Sequence, residues 1–318
     1  MTSRSPQPAP DLLAGRERAL RSLELSVKRK LEGFVHGEIT GLRSGPGSEP
    51  NEARPYQAGQ DDVRRMDWNV TARSLEPHVR APLAERELET WALIDASASM
   101  DFGTALSEKR DLAIAVVGAV GLLADRPGNT LGVRVALGNN LHRLPAAGGT
   151  AALRRTFRAL LSLPRAAPGE HPATDLATAI IKFDREHRRP GLRVVVSDFH
   201  STDWGDALRR LGARHEVIAV EVLDPRELEL PEVGLLTVVD PETGQRREIQ
   251  TSSKRLRRRY ADAMQQHREL TTQAIRASGA AHLVLRTDTD WVRDVAAFAS
   301  ARKRAAARRT PRGRTGTR

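Results

Sequence analysis

Residues 91–104 read WALIDASASMDFGT, and this stretch decides the fold of the chain. A short apolar run ends in Asp95 and is followed by Ser97 and Ser99, which is typical of a buried strand that leads into a turn of small residues. Carboxylate and hydroxyl oxygens together suit a hard divalent cation such as Mg²⁺ or Mn²⁺. One carboxylate cannot neutralise such an ion, so the site would bind a further carboxylate from outside the chain. The same residues also fit an ordinary strand end with helix-capping hydroxyls.

Two later stretches favour the metal interpretation. Residues 174–176, Thr-Asp-Leu, open a helical pattern in which Thr174 is the predicted N-cap. Residues 194–198, VVVSD, form a second buried strand that ends in Asp198. Ligands of open parallel sheets bind where the strands end at their carboxyl side. We therefore expect Asp95 to share one edge of the sheet with Thr174 and Asp198.

The pattern Asp95-x-Ser97-x-Ser99, followed by Thr174 and Asp198, resembles the metal-ion-dependent adhesion site of von Willebrand factor A domains. Such domains are doubly wound α/β folds that bind a divalent cation and hold an acidic group of a partner. The resemblance implies that Asp95, the two serines and Thr174 supply direct or water-bridged oxygens to Mg²⁺ or Mn²⁺. It implies that Asp198 acts mainly by orienting waters and a hydroxyl.

A stretch upstream of residue 91 indicates one particular family of proteins with such a domain. It consists of Arg54-x-Tyr56-x-x-Gly59, residues 61–68 (DDVRRMDW), Thr71-Ala72-Arg73 and Glu85-Arg86. This combination resembles the bacterial family known as domain of unknown function 58, whose members carry a von Willebrand A-like domain. Gln60 departs from the uninterrupted Gly-Asp-Asp that is usual in the family. Members are typically encoded beside MoxR-type AAA+ ATPases, so the resemblance implies such an ATPase as the partner.

Residues 54–73 contain a cluster of basic, acidic and aromatic side chains that allows two interpretations. It is either a docking surface or nucleic-acid patch, or a salt-bridge network around a buried Trp68. We favour the network, because forked Arg–carboxylate pairs fix a geometry well. The cluster consists of Arg54, Tyr56, Asp62, Arg64, Asp67, Trp68 and Arg73.

Composition restricts the function further. The 318 residues include no cysteine, which excludes disulfides, zinc–thiolate sites and thiol catalysis. Much of the net charge of +11 lies in residues 302–318, which carry eight basic residues and no acid. This tail could bind nucleic acid through counterion release, but a solvated disordered end is the favoured interpretation. No apolar run approaches the roughly 20 residues of a membrane span, so we expect a cytoplasmic protein.

The alternation of strands and helices across residues 89–222 predicts a doubly wound, mostly parallel Rossmann-type α/β sheet. The run Asp-Pro-Glu-Thr-Gly at 240–244 predicts the turn of a hairpin inserted at an edge of that sheet. The predicted organisation is a disordered segment at 1–11, a helix and small module at 12–88, the von Willebrand A-like domain at 89–301 with its insertion at about 223–250, and the disordered tail at 302–318.

We predict a non-catalytic, metal-dependent protein-interaction protein that works with a MoxR-type AAA+ ATPase in a chaperone-like assembly or activation system. A phosphatase of the haloacid-dehalogenase type needs a second carboxylate where this chain has Ser97, and no nucleophile elbow Gly-x-Ser-x-Gly surrounds Ser97 or Ser99. A metal-dependent hydrolase and a basic nucleic-acid scaffold remain as alternatives. Aromatic residues make up only 4% of the chain, which leaves few stacking platforms for single-stranded nucleic acid.

Overall fold

The computed structural model describes residues 53–57, 62–74, 76–80, 89–104, 107–123, 128–165 and 174–309. The disordered segment predicted at 1–11 and the helix predicted to open the module at 12–88 lie outside these residues. None of the helices in the described ranges is both long and apolar enough to cross a membrane.

The bounds of the elements in the described residues are as follows. The strands are β1 (Ala53–Pro55), β2 (His78–Arg80), β3 (Glu89–Asp95), β4 (Thr130–Leu137), β5 (Asn140–Ala147), β6 (Leu192–Ser197), β7 (Glu216–Leu223), β8 (Leu235–Val239), β9 (Arg246–Gln250) and β10 (Ala281–Arg286). The α-helices are α1 (Trp68–Ser74), α2 (Lys109–Leu123), α3 (Thr150–Ser162), α4 (Leu176–Glu186), α5 (Gly205–Gly212), α6 (Pro225–Leu228), α7 (Lys254–Ala277) and α8 (Trp291–Arg309). Single 3₁₀ turns are Val63–Arg65 and Ala98–Asp101.

Six of these strands form the central sheet, in the order β10-β7-β6-β3-β4-β5. Neighbouring strands from β10 to β4 are parallel, and β5 pairs antiparallel with β4 at one edge. Helices connect the parallel strands, as the geometry of parallel crossovers requires. The predicted fold class, a mostly parallel α/β sheet, is confirmed.

The two central strands are buried along almost their whole length. Every residue of β6 is buried, and so is every residue of β3 after the first. Leu93 and Val195 belong to one buried cluster with Ile180 of α4, Leu208 of α5 and Ile275 of α7. Continuous apolar strands of this kind are expected where helices cover a parallel sheet. The core therefore holds the carboxyl ends of β3 and β6 in fixed positions.

The predicted hairpin forms a separate two-stranded antiparallel sheet, β8–β9. Its turn is the Asp-Pro-Glu-Thr-Gly run, where the backbone N–H of Asp240 donates to Gln245 O at 2.9 Å. The hairpin adds no strand to the central sheet, whose edges are β5 and β10.

The last helix is longer than the sequence predicted. The von Willebrand A-like domain was predicted to end at residue 301, with a disordered tail after it, but α8 continues to Arg309. The disorder predicted for 302–309 is therefore wrong, because alanine and arginine at 304–309 both have high helix propensity. Residues 310–318 lie outside the described residues.

The described residues fall into two compact units, one within 88–298 and the other within 40–87 and 299–318. In the second unit, β1 and β2 pair antiparallel, and α1 begins at Trp68. The Trp68 side chain is 67% exposed, so the favoured interpretation of a buried Trp68 is wrong. Helix α1 has seven residues, none of them buried, and is too short and polar to cover a large ring.

Candidate metal site

Two neighbouring strands end in aspartates at the same edge of the sheet. Ile94 of β3 lies opposite Val196 of the parallel β6, so Asp95 ends one strand and Asp198 follows the end of the next. Both carboxylates are buried, with exposed fractions of 6% and 4%. The hydroxyl of Ser197 donates to Asp95 Oδ2 at 2.7 Å and fixes one oxygen of that carboxylate. Ser197 was not predicted as a site residue.

The loop after β3 places the two serine hydroxyls between the carboxylates. Asp95 Oδ1 accepts the backbone N–H of Ser97 at 2.9 Å, which turns the chain sharply after the strand. Ser97 Oγ and Ser99 Oγ lie 3.1 Å apart. The Ser97 hydroxyl also bonds Asp95, and the Ser99 hydroxyl bonds Asp198. A chain of hydroxyls therefore joins one carboxylate to the other.

The exit from β6 is held in an unusual backbone conformation. Phe199 is the one residue other than glycine with positive φ in the described chain, at 54°. Such a conformation costs of order 1–3 kcal/mol and persists only where its surroundings fix it. Here the buried Phe199 ring packs edge-on against Trp204 with centroids 4.7 Å apart, and its N–H donates to Ser197 Oγ at 3.0 Å. The strained turn fixes the direction of Asp198.

A buried lysine neutralises Asp198. Lys109 Nζ, at the start of α2, lies 2.8 Å from Asp198 Oδ2 and 2.5 Å from Glu227 Oε1. Burial lowers the pKa of Lys109, but the two carboxylates outweigh this effect and raise it above its usual value. The lysine is therefore charged. The sequence carries a signal that was missed, namely a lysine in the charged first turn of a helix whose remaining residues, from Leu112 to Leu123, are apolar or glycine.

The residue that follows a third strand, β7, positions the carboxylate of Glu227. Asp224, fully buried after β7, caps α6, and its N–H donates to Glu227 Oε2 at 3.3 Å. Asp224 also accepts the Thr104 hydroxyl at 2.6 Å and the Thr287 hydroxyl at 2.7 Å. These bonds tie the loop that carries the serines to the ends of β7 and β10.

The two aspartates differ in their electrostatic environment. Burial, and then the charge of Asp198, raise the pKa of Asp95 to about 6, although hydrogen bonds from Ser197 and Ser97 lower it. Burial also raises the pKa of Asp198, but Lys109 and His200 outweigh it and hold the pKa well below the usual range. Asp198 is therefore the ionised partner, whereas no basic side chain of the described ranges pairs with Asp95.

A histidine borders the same ion pair. His200 Nε2 lies 3.6 Å from both Asp198 Oδ2 and Glu227 Oε1. In the described residues these three side chains form a group with the spacing of metal ligands. The ammonium of Lys109 already supplies a positive charge to both carboxylates, so this group does not need a metal ion.

Thr174 lies at the same edge but has a different role from the predicted one. Its hydroxyl accepts the N–H of Gly138, just after β4, at 3.0 Å. The N-cap of α4 is Asp175, whose carboxylate accepts the N–H of Thr178 at 2.8 Å. The predicted N-cap at Thr174 is wrong, since the residue nearer the helix reaches the free N–H groups. No hydrogen bond joins Thr174 to the other predicted ligands in the described chain.

The donor set of this site fits a hard divalent cation. Asp95 contributes a buried carboxyl that no described basic side chain pairs with, and Ser97 and Ser99 contribute adjacent hydroxyls. All of these donors are oxygens, the preferred ligands of Mg²⁺ and Mn²⁺. Asp198 is already paired with Lys109, which fits a role outside the direct ligand set.

In the second unit, two residues of the cluster predicted around Trp68 act as local caps. Asp62 accepts the N–H of Arg64 at 2.9 Å and starts a 3₁₀ turn. Asp67 accepts the N–H of Asn69 at 3.0 Å at the start of α1. Both contacts fix the backbone and leave the Trp68 ring exposed.

The remaining cluster residues also make backbone contacts. Arg54 of β1 lies opposite Val79 of β2. The N–H of Tyr56 donates to Pro77 O at 2.7 Å, and Arg73 Nε donates to a carbonyl of its own helix at 3.2 Å. A docking role for this cluster stays a prediction.

Comparisons with known proteins identify relatives of the chain. The model of a family described as "Protein of unknown function DUF58" matches residues 52–270. The uncharacterized protein Rv1480 of Mycobacterium tuberculosis is 49% identical over 289 residues, which are 91% of this chain and 90% of that protein. The structure of BatB from Bacteroides thetaiotaomicron has 15% identity and a TM-score of 0.42, over 70% of this chain and 99% of that one. The SpRpn10 VWA domain has 13% identity and a TM-score of 0.38, over 66% and 93%.

Proposed function

The chain belongs to the DUF58 family, and we propose that it is a non-catalytic protein-interaction protein whose metal site binds an acidic side chain of its partner. The direct ligands are Asp95, Ser97 and Ser99, with Thr174 as a further oxygen donor. Asp198 orients the site from outside the direct ligand set. The ion is Mg²⁺ or Mn²⁺.

The observation that carries this proposal is the unequal pairing of the two aspartates. Lys109 bonds Asp198 and Glu227, so an ammonium already occupies the position between these two carboxylates and offsets part of their charge. Asp95 is buried beside them, and among the described residues no cationic side chain pairs with it. A bound divalent ion would supply positive charge and an open coordination position for a carboxylate. Because Asp95 alone cancels only part of that charge, the site keeps its attraction for an anionic side chain.

The protein's own residues make the site ready for binding. Ser197 holds one oxygen of Asp95 and the Ser97 N–H holds the other, so the carboxylate is oriented before a ligand arrives. The strained turn at Phe199 and the ion pair with Lys109 fix Asp198 in the same way. Binding then costs little ordering of the site, and such preorganisation improves affinity.

The partner that we propose is a MoxR-type AAA+ ATPase that presents a glutamate or aspartate. The support for it is the family, which the upstream motif and the metal motif both indicate. The pair would act as a chaperone-like system that assembles or activates a client complex. We propose a cytoplasmic location, where the ATP that such a partner consumes is available.

A pull-down with a purified MoxR-type ATPase tests the proposal. The wild-type chain should retain the ATPase in buffer with Mg²⁺ and release it in EDTA, and Asp95→Ala should not retain it in either buffer. Asp203→Ala is the matched control, because this exposed aspartate lies after the neighbouring strand β6 and outside the donor set. Equal retention by wild type and Asp95→Ala would refute the proposal.

A further inference from the structure

Helix α7 begins with a concentration of positive charge. It opens with the run KRLRRR, in which Lys254, Arg255, Arg258 and Arg259 are exposed, and its first turn contains no acidic residue. The N-terminus of a helix is the positive end of the helix dipole, so cations there are unfavourable. Arg255 also lies one helical turn from Arg259, and like charges at that spacing repel each other. The start of α7 therefore carries charge that the helix itself does not stabilise.

The rest of the protein compensates little of this charge. Arg258 Nε lies 4.0 Å from Asp262 Oδ2, and both side chains are highly exposed, so this pair contributes little. Among the described residues, no ion pair involves Lys254, Arg255 or Arg259. The net charge of the whole chain is +11, so its acidic side chains are outnumbered by basic ones. An anionic group of another molecule would remove the repulsion at the start of α7.

Arg257, the half-buried arginine of the same run, ties the start of α7 to the base of the β8–β9 hairpin. Its Nη1 donates to Thr251 O at 2.5 Å, and its Nη2 donates to Glu232 Oε2 at 2.8 Å. The Thr251 N–H donates to Gly234 O at 2.7 Å, and the Thr251 hydroxyl accepts the N–H of Val233 at 3.1 Å. These bonds place the base of the hairpin beside the first turn of α7.

The base of the hairpin adds exposed apolar side chains to the basic start of the helix. Val233 is 58% exposed and Leu235 is 64% exposed. Protein interfaces combine apolar contacts with a polar rim. Sites for single-stranded nucleic acid instead depend on aromatic side chains that stack on bases, and no residue from 232 to 259 is aromatic. The combination of basic and aliphatic side chains favours a protein over a nucleic acid as the anionic partner.

We propose that this surface, the junction patch, binds an acidic segment of a partner protein that also carries aliphatic side chains. The junction patch consists of Val233, Leu235, Lys254, Arg255, Arg258 and Arg259. Carboxylates that approach it gain from the helix dipole as well as from the basic side chains. Complementary charge of this kind gives an interface its specificity and a fast association rate. The junction patch needs no metal ion, so it is a second binding surface, independent of the proposed site at Asp95.

The test uses a short fluorescent peptide of alternating glutamate and leucine as the probe. Fluorescence anisotropy measures its binding to the full-length chain in EDTA, which keeps the proposed metal site out of the measurement. The double variant Arg255→Glu/Arg259→Glu should weaken binding about tenfold, which corresponds to the loss of two exposed ion pairs. The matched control is Arg155→Glu/Arg158→Glu, which makes the same change of charge at exposed positions of α3 and should bind like wild type. Equal binding by the two double variants, or none by wild type, overturns the proposal.

Further measurements separate the parts of the proposal. Val233→Ser/Leu235→Ser should weaken binding of the glutamate–leucine peptide but not of a glutamate–alanine peptide of the same length. Arg255→Glu/Arg259→Glu should melt at a higher temperature than wild type, because glutamates favour the start of a helix; a lower melting temperature would contradict the repulsion between these arginines. A single-stranded DNA probe that binds wild type more tightly than the peptide, and is lost in the same variant, would overturn the proposal in favour of a nucleic-acid surface.

Discussion

Lys109 Nζ lies 2.8 Å from Asp198 Oδ2, and neither side chain is more than 3% exposed to solvent. This buried ion pair determines how charge is distributed at the edge of the sheet. The lysine is shared between Asp198 and Glu227, whereas the part of the chain that the structure describes gives Asp95 hydroxyl and backbone donors but no cation. The proposed cation site at Asp95 follows from that asymmetry.

Lys109→Met should destabilise the metal-free protein by about 3–5 kcal/mol, the usual cost of leaving one side of a buried ion pair uncompensated. Chemical denaturation measures this loss. Mg²⁺ should restore more stability to Lys109→Met than to wild type, because the freed Asp198 carboxylate then attracts the ion as well. Lys182→Met, at an exposed position on α4, is the control and should change stability little. An equal response to Mg²⁺ in both proteins would contradict the role assigned to Lys109.

The raised pKa of Asp95 predicts the sign of a pH effect on stability. Its pKa is about 6 in the folded protein, above the ordinary value of 3.8 for an aspartate, so the folded state binds more protons between these two pH values. The stability that this group contributes is present below pH 4 and is lost as the pH rises through about 6. Asp95→Asn should therefore gain stability relative to metal-free wild type between pH 4 and 7, by on the order of 2 kcal/mol.

Denaturation at several pH values, without divalent ions, measures that difference. Saturating Mg²⁺ should remove the pH dependence, because a bound cation favours the ionised carboxylate. Asp203→Asn should follow wild type at every pH. A wild type that gains stability relative to Asp95→Asn as the pH rises from 4 to 7 would contradict the unpaired state of Asp95.

Two tryptophans should respond very differently to truncation. Trp68 is 67% exposed, so Trp68→Ala should change the free energy of unfolding by no more than about 0.5 kcal/mol. Trp91 is 2% exposed and stacks on His187 with ring centroids 3.6 Å apart, and Trp91→Ala should cost about 3–5 kcal/mol. Equilibrium unfolding of both variants tests this contrast. A similar cost at the two positions would mean that Trp68 is packed in solution.

The sequence predicted those parts of the site that depend on local pattern. An apolar run followed by a carboxylate located Asp95 and Asp198, because buried parallel strands are continuous in sequence. The pairing of Lys109 with Asp198 joins residues 89 positions apart, and no local pattern encodes it. The error at Trp68 arose because charge and aromatic spacing do not reveal whether a short helix covers a ring.

The hairpin also shows that a local sequence pattern predicts a turn but not the longer-range contacts around it. Its turn at 240–244 was predicted from proline and glycine, which fix backbone angles locally. The bonds from Thr251 to Gly234 O that close its base join residues 17 positions apart, and these cannot be derived from the turn itself.

The most direct test of the central claim is a calorimetric titration of Mn²⁺ into the wild-type chain and into Asp95→Ala, each first freed of metal with EDTA and dialysed. The account predicts that wild type binds a single ion per chain and that Asp95→Ala, still folded by circular dichroism, binds none. Equal binding by both proteins, or none by wild type, would contradict a metal site at the end of β3.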